Sequence, residues 1–568
     1  MKYIKVICSL SFILIFTSGC SKFLDREIES NYKEEEVFVN YDRIQQAGFG
    51  VYAFIYNRFG FSRIQNAMLA SASDEADHAD AASDIHKFNT GTWTAASNPE
   101  DCWAHFYQGI RRANLFLEKS TDYRQIIYRD TTDPANKANY EANVQDITWL
   151  RAEVKVLRAL YYFELIKRYG GVPIIDRSTY SDEELAQMPR NTFDSCVKYV
   201  SKECDAAFPE LKTTWVGFSS EKWRGRITQG VALALKARLL LYVASPLHNP
   251  ANDVSKWAAA AAAAHKVIEL GRYALHNNYT GLFRLGNGAD SNPEVIFAIQ
   301  SGASNNFERL NYPVGYTQGG QGSTAPSQNL VDAYEMKPTG MMIHEPGSGY
   351  NPDNPYANRD PRLGFSILTN NTTFKTRPVE AWVGGLDGLG KLRATTTGYY
   401  LRKFIDESLN LEQNTSSVHV WMLFRYAEVL LNYAEAMNEA FGPEVSQGYS
   451  MTAKAAVDMV RQRTGVVMPV LPPGLSQQEM RERIHNERRV ELAFEEHRFF
   501  DVRRWKIAGE TENMPVMAMR IDKNTDGTFK YKVIKAEDRT FSEKMYFYPI
   551  PEAEVLKSKG NLVQNNGW

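Results

Sequence analysis

The chain is poor in cysteine, in long apolar runs, in surplus charge and in catalytic fingerprints, and each shortage narrows what it can be. Five cysteines stand among 568 residues. With Cys8 and Cys20 assigned to an N-terminal export segment, Cys102, Cys196 and Cys204 remain, an odd number that gives no disulfide framework. Cys196 and Cys204 fall in one predicted helix, FDSCVKYVSKECDAAF, where their separation amounts to roughly 12 Å, beyond the ~7 Å reach of a bridge. They are expected as small buried hydrophobes. The apolar run from Val6 to Phe16 falls short of the ~18 residues that span a bilayer, which excludes a permanent transmembrane helix there. A formal net charge of −2, with both signs well mixed, leaves no electrostatic footprint for nucleic acid. No G-x-S-x-G, H-E-x-x-H, P-loop or dinucleotide fingerprint occurs, so no residue is given a catalytic role and no enzyme activity is expected.

What is present begins with an address. Lys2 and Lys5 precede the apolar run, and Thr17, Ser18 and Gly19 lead directly into Cys20. This is the plan of a bacterial secretory signal over residues 1–19. A cysteine after small residues looks like a lipobox, with Thr17 where the usual pattern has Leu. Cys20 is therefore the expected lipidation site and new N-terminus, and two or three acyl chains at ~0.8 kcal/mol per buried methylene make a stable anchor.

Helical periodicity fills much of the remainder. Leu150, Val154, Leu157, Tyr161 and Leu165 form one apolar stripe, closed by Gly170, Gly171 and Pro173. ITQGVALALKARLLLYVASP is apolar almost all round, which predicts burial among helices and a stop at Ser245-Pro246. The alanine run Ala258 to Ala264 leaves no bulk to separate packed backbones. MLFRYAEVLLNYAEAMNEAFGP and AKAAVDMVRQRTG follow, and a capping box from Ser476 to Glu479 opens a helix expected to run through Phe500. Helix pairs separated by Gly and Pro are the signature of tetratricopeptide-type stacking. The fold expected is mainly α, a tetratricopeptide-like α-solenoid with a few short strands, EVIFAIQ and RLGFSIL among them. The C-terminal run RERIHNERRVELAFEEHRFFDVRRW reads as an ion network along one helix, its charges at i, i+3 and i+4.

Two stretches, residues 71–100 and about 279–400, lose that period and fill with Gly, Asn, Ser, Thr, Pro, Trp and Tyr. Long irregular segments in a compact protein are usually functional loops.

CSKFLD, LRALYYFELIKRYGGVPI, GRITQGVALALKARLLLY, NPEVIFAIQ, NRDPRL, FRYAEVLLNYAEAMNEA, ERRVELAFEEHRFFDVRRW and YPIPEAEVLKSKGNLVQNNGW resemble blocks of the SusD/RagB family of outer-membrane nutrient-binding lipoproteins, in the family's order. The resemblance covers residues 20–568, taken as one domain. It implies a protein on the outer face of the outer membrane, held by its lipid, that captures glycans and delivers them to a SusC-like TonB-dependent transporter. A family member that captures peptides is the alternative, and a helical lipoprotein hydrolase or assembly scaffold a more distant one.

Residues 71–100 occupy the place of the family's variable ligand loop. Asp77, His78 and Asn89 there suit sugar hydroxyls, and Trp93 suits a pyranose face, against the competing reading that Trp93 pins its own loop. Tyr316, Gln318 and Trp382 are the candidates of the second stretch, among glycines that let a ligand approach the backbone. Asp74, Glu75, Asp77, His78 and Asp80 lack the D-x-D-x-D-G order of a calcium loop. They are expected as a solvated acidic turn, with no metal and no cofactor.

Overall fold

The computed structural model of the chain describes residues 34–56, 64, 66–129, 132–217, 224–316 and 320–568. Cys20 and Gln318 lie outside them. The chain forms two compact units, Met1–Ala47 with Lys119–Ile147, and Gly48–Glu118 with Thr148–Trp568. In the smaller unit the Tyr41 hydroxyl donates to Asp146 Oδ2 at 2.7 Å, joining two segments distant in sequence.

The larger unit is mainly helical. Helices Phe193–Ala207, Gln229–Ala244, Val254–Glu269, Tyr426–Phe441, Ala453–Arg461 and Gln477–Glu491 pack as neighbours in the stacked manner expected. The alanine helix Val254–Glu269 lies against both Gln229–Ala244 and Tyr426–Phe441. Ala260, Ala261, Ala263 and Ala264 are buried there, because only a methyl group fits between backbones on two sides. The stops are local. Gly170 takes φ +75° and donates to Ile166 O, and Gln229–Ala244 ends at Ser245 before Pro246. The capping box of Ser476 and Glu479 is formed.

Three expectations change. The helix opened by Ser476 stops at Glu491, and a new one starts at His497. Phe494 and Glu496 between them take φ +63°, a left-handed conformation that no helix continues through. Its charges also reach across the chain more than along it. Arg504 bonds Glu435 Oε2 at 2.7 Å, Arg498 bonds Asp74 at 2.7 Å and Arg425 bonds Glu491 at 2.7 Å, whereas Arg504 with Asp501 is the short-range kind. RLGFSIL is not a strand either. Asp360 caps a turn of helix at Pro361–Ser366, and only Ile367–Leu368 pairs, with Tyr400–Leu401. EVIFAIQ does form a strand, Val295–Gln300, antiparallel to Val420–Arg425.

The second irregular stretch is itself a core. Tyr279, Leu310, Tyr312, Tyr334, Ile367, Tyr399, Leu401 and Trp421 are buried together with Met519 and Ile521 of the hairpin Val516–Lys523 and Phe529–Glu537, which the sequence pattern did not bring out.

Candidate functional site

Strand Ala76–His78 pairs antiparallel with Thr324–Pro326, which draws the acidic segment inward. Asp74, Glu75, Asp77 and His78 are buried, and the solvated turn expected here is corrected; Asp80 alone of that group is exposed. Asp74 is held by Arg498 and Arg489, so its carboxylate loses water but gains two guanidinium partners.

Asp77, His78 and Asn89 come together with two residues that sequence reasoning missed, His86 and Glu537. Asp77 Oδ2 accepts from the Thr396 hydroxyl at 2.6 Å and Oδ1 from the His78 N–H at 2.7 Å. Short helix His86–Thr90 presents His86, whose Nδ1 lies 2.9 Å from Glu537 Oε1 and whose Nε2 lies 3.1 Å from Asp80 O. Asn89 Nδ2 donates to Glu537 Oε2 at 3.0 Å and to Ser71 O at 3.1 Å. Arg539 braces the patch through Ala76 O at 2.8 Å. Glu537 ends the hairpin just after a register shift, which re-aims its side chain.

The electrostatics follow from burial and these partners. Burial, then the Glu537 charge, raises the Asp77 carboxyl above its ordinary value. Burial, then His86, lowers His78 to about 4. The hydrogen bond to Glu537 raises His86. Burial works to raise Glu537, but its bonds with His86 and Asn89 and the Arg539 charge bring it down.

Trp93 is only 1% exposed. Its ring centroid lies 4.8 Å from Phe88, 5.2 Å from Tyr548 and 4.6 Å from Trp568, all edge-on. Neither face is open to a ligand, and this geometry is that of the internal pin. Gly91 at φ +68° makes the turn that carries it inward; a Cβ there would meet Met545 Cε at 2.8 Å.

Tyr316 is also buried, its hydroxyl lying 2.6 Å from Phe374 O and 2.5 Å from Arg377 O with one proton to share between them, and with the Arg377 guanidinium 3.7 Å from the ring centre. It braces a loop. Trp382 is different: it keeps part of its surface in solvent, with Lys523 Nζ 4.8 Å from its ring centre. Its loop is turned by Gly385 and Gly388, where a Cβ would meet Glu380 O at 2.4 Å and Trp382 O at 2.1 Å.

One strand edge positions both patches. Met519 N–H donates to Thr397 O at 2.8 Å, next to the Thr396 that holds Asp77, and Ile521 O accepts from Val383 N–H at 2.8 Å, next to Trp382. Two residues of strand set these attachments roughly 7 Å apart.

Comparison with known proteins finds matches along most of the chain. Residues 293–568 match the model of the SusD family, and residues 22–241 match the model described as starch-binding, associating with the outer membrane. A SusD-like protein from Bacteroides fragilis NCTC 9343 is 27% identical at a TM-score of 0.75, covering 94% of this chain and 98% of that one. A SusD-like carbohydrate binding protein from the same organism is 24% identical at a TM-score of 0.72, covering 92% and 99%. SusD-like protein P25 of Formosa agariphila is 22% identical over 538 residues, 87% of this chain and 89% of that protein.

Proposed function

The chain belongs to the SusD family, and from that premise we propose that it captures glycans at the outer face of the outer membrane and delivers them to a SusC-like TonB-dependent transporter. The observation that carries this reading is Trp382, a partly exposed aromatic ring on a glycine-framed loop with the Lys523 ammonium 4.8 Å from its ring centre. A flat apolar face beside hydrogen-bonding groups is what sugar rewards, since each hydroxyl gains only ~0.5–1.5 kcal/mol net on exchanging water for protein. The carbohydrate binding stated for the Bacteroides fragilis relative accords with it. Among the described residues no helix is long and apolar enough to cross a membrane; the attachment proposed is lipid at Cys20.

Calorimetric titration of polysaccharides and of peptide mixtures into the protein tests the reading. Glycan is expected to be retained uncleaved, and Trp382→Ala to weaken it by at least ~1 kcal/mol. Retention of peptides alone, or release of cleaved sugar, would overturn it. Cys20→Ala should move the protein to the soluble fraction.

A further inference from the structure

We propose that Asp77, His86 and Glu537 form a site for a divalent transition-metal ion of the zinc type. A carboxylate oxygen of Asp77, a ring nitrogen of His86 and a carboxylate oxygen of Glu537 lie within 4.8 Å of one another. Both nitrogens of His86 face oxygens that only accept: Nε2 faces the Asp80 carbonyl and Nδ1 faces Glu537 Oε1. A neutral imidazole can donate through one nitrogen only. A protonated ring donates to both oxygens, whereas a neutral ring with Nε2–H given to the carbonyl turns its Nδ1 lone pair toward the carboxylates, the orientation a metal ligand needs. An ion bound there would gather the ring nitrogen and the two carboxylates, Asp77 included.

The donor set selects the metal. One imidazole nitrogen and two carboxylate oxygens, with room for water at a fourth position, suit zinc and its neighbours. Calcium takes six to eight oxygens and has no use for the ring nitrogen. Each ligand is already oriented from behind: Asp77 by the Thr396 hydroxyl at 2.6 Å, Glu537 by Asn89 Nδ2 at 3.0 Å, His86 by Asp80 O at 3.1 Å. Such outer hydrogen bonds are what hold metal ligands in place.

A second observation points to the same spot. His78 Nδ1 and Asn89 Oδ1 have no hydrogen-bond partner, although both residues are 3% exposed. Buried polar atoms are seldom left so. The His78 ring centre lies 6.3 Å from that of His86, and Asn89 already bonds Glu537. Water carried by a bound ion would supply partners at this position. The His86 and Glu537 side chains are 17% and 20% exposed, which gives the ion a way in from solvent. The site goes beyond the glycan reading and stands or falls apart from it, because its test uses no sugar.

The full chain, purified in detergent and stripped with a chelator, is titrated with zinc chloride and with calcium chloride by calorimetry. The expected result is one zinc ion per chain, bound at least about tenfold more tightly than calcium, with His86→Gln and Glu537→Gln each weakening zinc at least about tenfold. Absence of saturable zinc binding, or binding that neither variant changes, overturns the proposal and leaves a protonated His86 bridging the two oxygens. Should the variants fail to fold, electron paramagnetic resonance of the copper(II)-loaded wild type decides: one coordinated imidazole nitrogen supports the site and none refutes it.

Discussion

Trp93 and Trp382 stand in the two irregular stretches and are held in opposite ways. Trp93 is enclosed edge-on by Phe88, Tyr548 and Trp568, the last residue of the chain, so it ties residues 71–100 to the C-terminus. Trp382 is lodged on glycine-shaped backbone, packed on one side against the core, with one cation over it and part of its surface left in solvent. Irregular backbone therefore does two jobs here. In the first stretch it lets a loop be packed as core; in the second it lets a ring be displayed. On the proposed function, stability falls to the enclosed ring and recognition to the one left partly in solvent.

The sharpest way to break this comparison is to truncate both rings. Trp93→Ala should cost about 3–5 kcal/mol of unfolding free energy, the range for emptying a buried aromatic site. Trp382→Ala should cost about 1 kcal/mol or less while reducing glycan affinity. Denaturant unfolding beside calorimetry reads both. Equal losses of stability would erase the distinction.

Next in size is Asp74, buried between Arg489 and Arg498. Asp74→Ala leaves two guanidinium groups without their carboxylate, and breaking such a pair costs about 3–5 kcal/mol. A loss below ~1 kcal/mol in urea melts would mean that water reaches these arginines.

Much of the helical stack was legible in the sequence because its causes are local. Gly170 takes the left-handed cap its position predicts, Ser476 and Glu479 form their box, and the alanine run packs closely. The polar patch was half legible. Asp77, His78 and Asn89 share one short segment, but Glu537 lies 451 residues from His86, and no periodicity reports a contact of that range. The two readings of Trp93 could not be separated for a related reason: its enclosing rings, Tyr548 and Trp568, lie more than 400 residues along the sequence. The break at 492–496 was hidden because Phe494 and Glu496 are ordinary helix residues, driven left-handed by contacts that only the fold supplies.

A pH series sharpens the comparison from the helical side. Burial alone would raise the Glu435 carboxyl, but the Arg504 guanidinium overrides it and Glu435 sits at about 2. The folded value is thus below the unfolded one of ~4.3, so the stability it contributes is present above ~4.3 and is lost as pH falls toward about 2. Glu435→Gln should lower stability by roughly 3 kcal/mol at pH 7 and flatten the acid side of the stability–pH curve. An unchanged acid limb in urea melts run from pH 2 to 7 would show that Glu435 is not held this way.

The smallest effect concerns the alanine helix, and it tests whether close packing or mere propensity placed those residues. Ala261 is fully buried, in a helix packed between Gln229–Ala244 and Tyr426–Phe441, whereas Ala259 faces solvent two positions away. Leucine has nearly the helix propensity of alanine, so propensity alone predicts that neither substitution matters. Packing predicts a difference. Ala261→Leu forces extra bulk between backbones and should cost about 1–3 kcal/mol. Ala259→Leu should stay within ~0.5 kcal/mol, as surface substitutions do. Chemical denaturation of the pair is decisive because the two variants share composition and helix. If Ala261→Leu is as stable as Ala259→Leu, the helices are not in contact at Ala261, and the stacking inferred from the small residues fails at its tightest point.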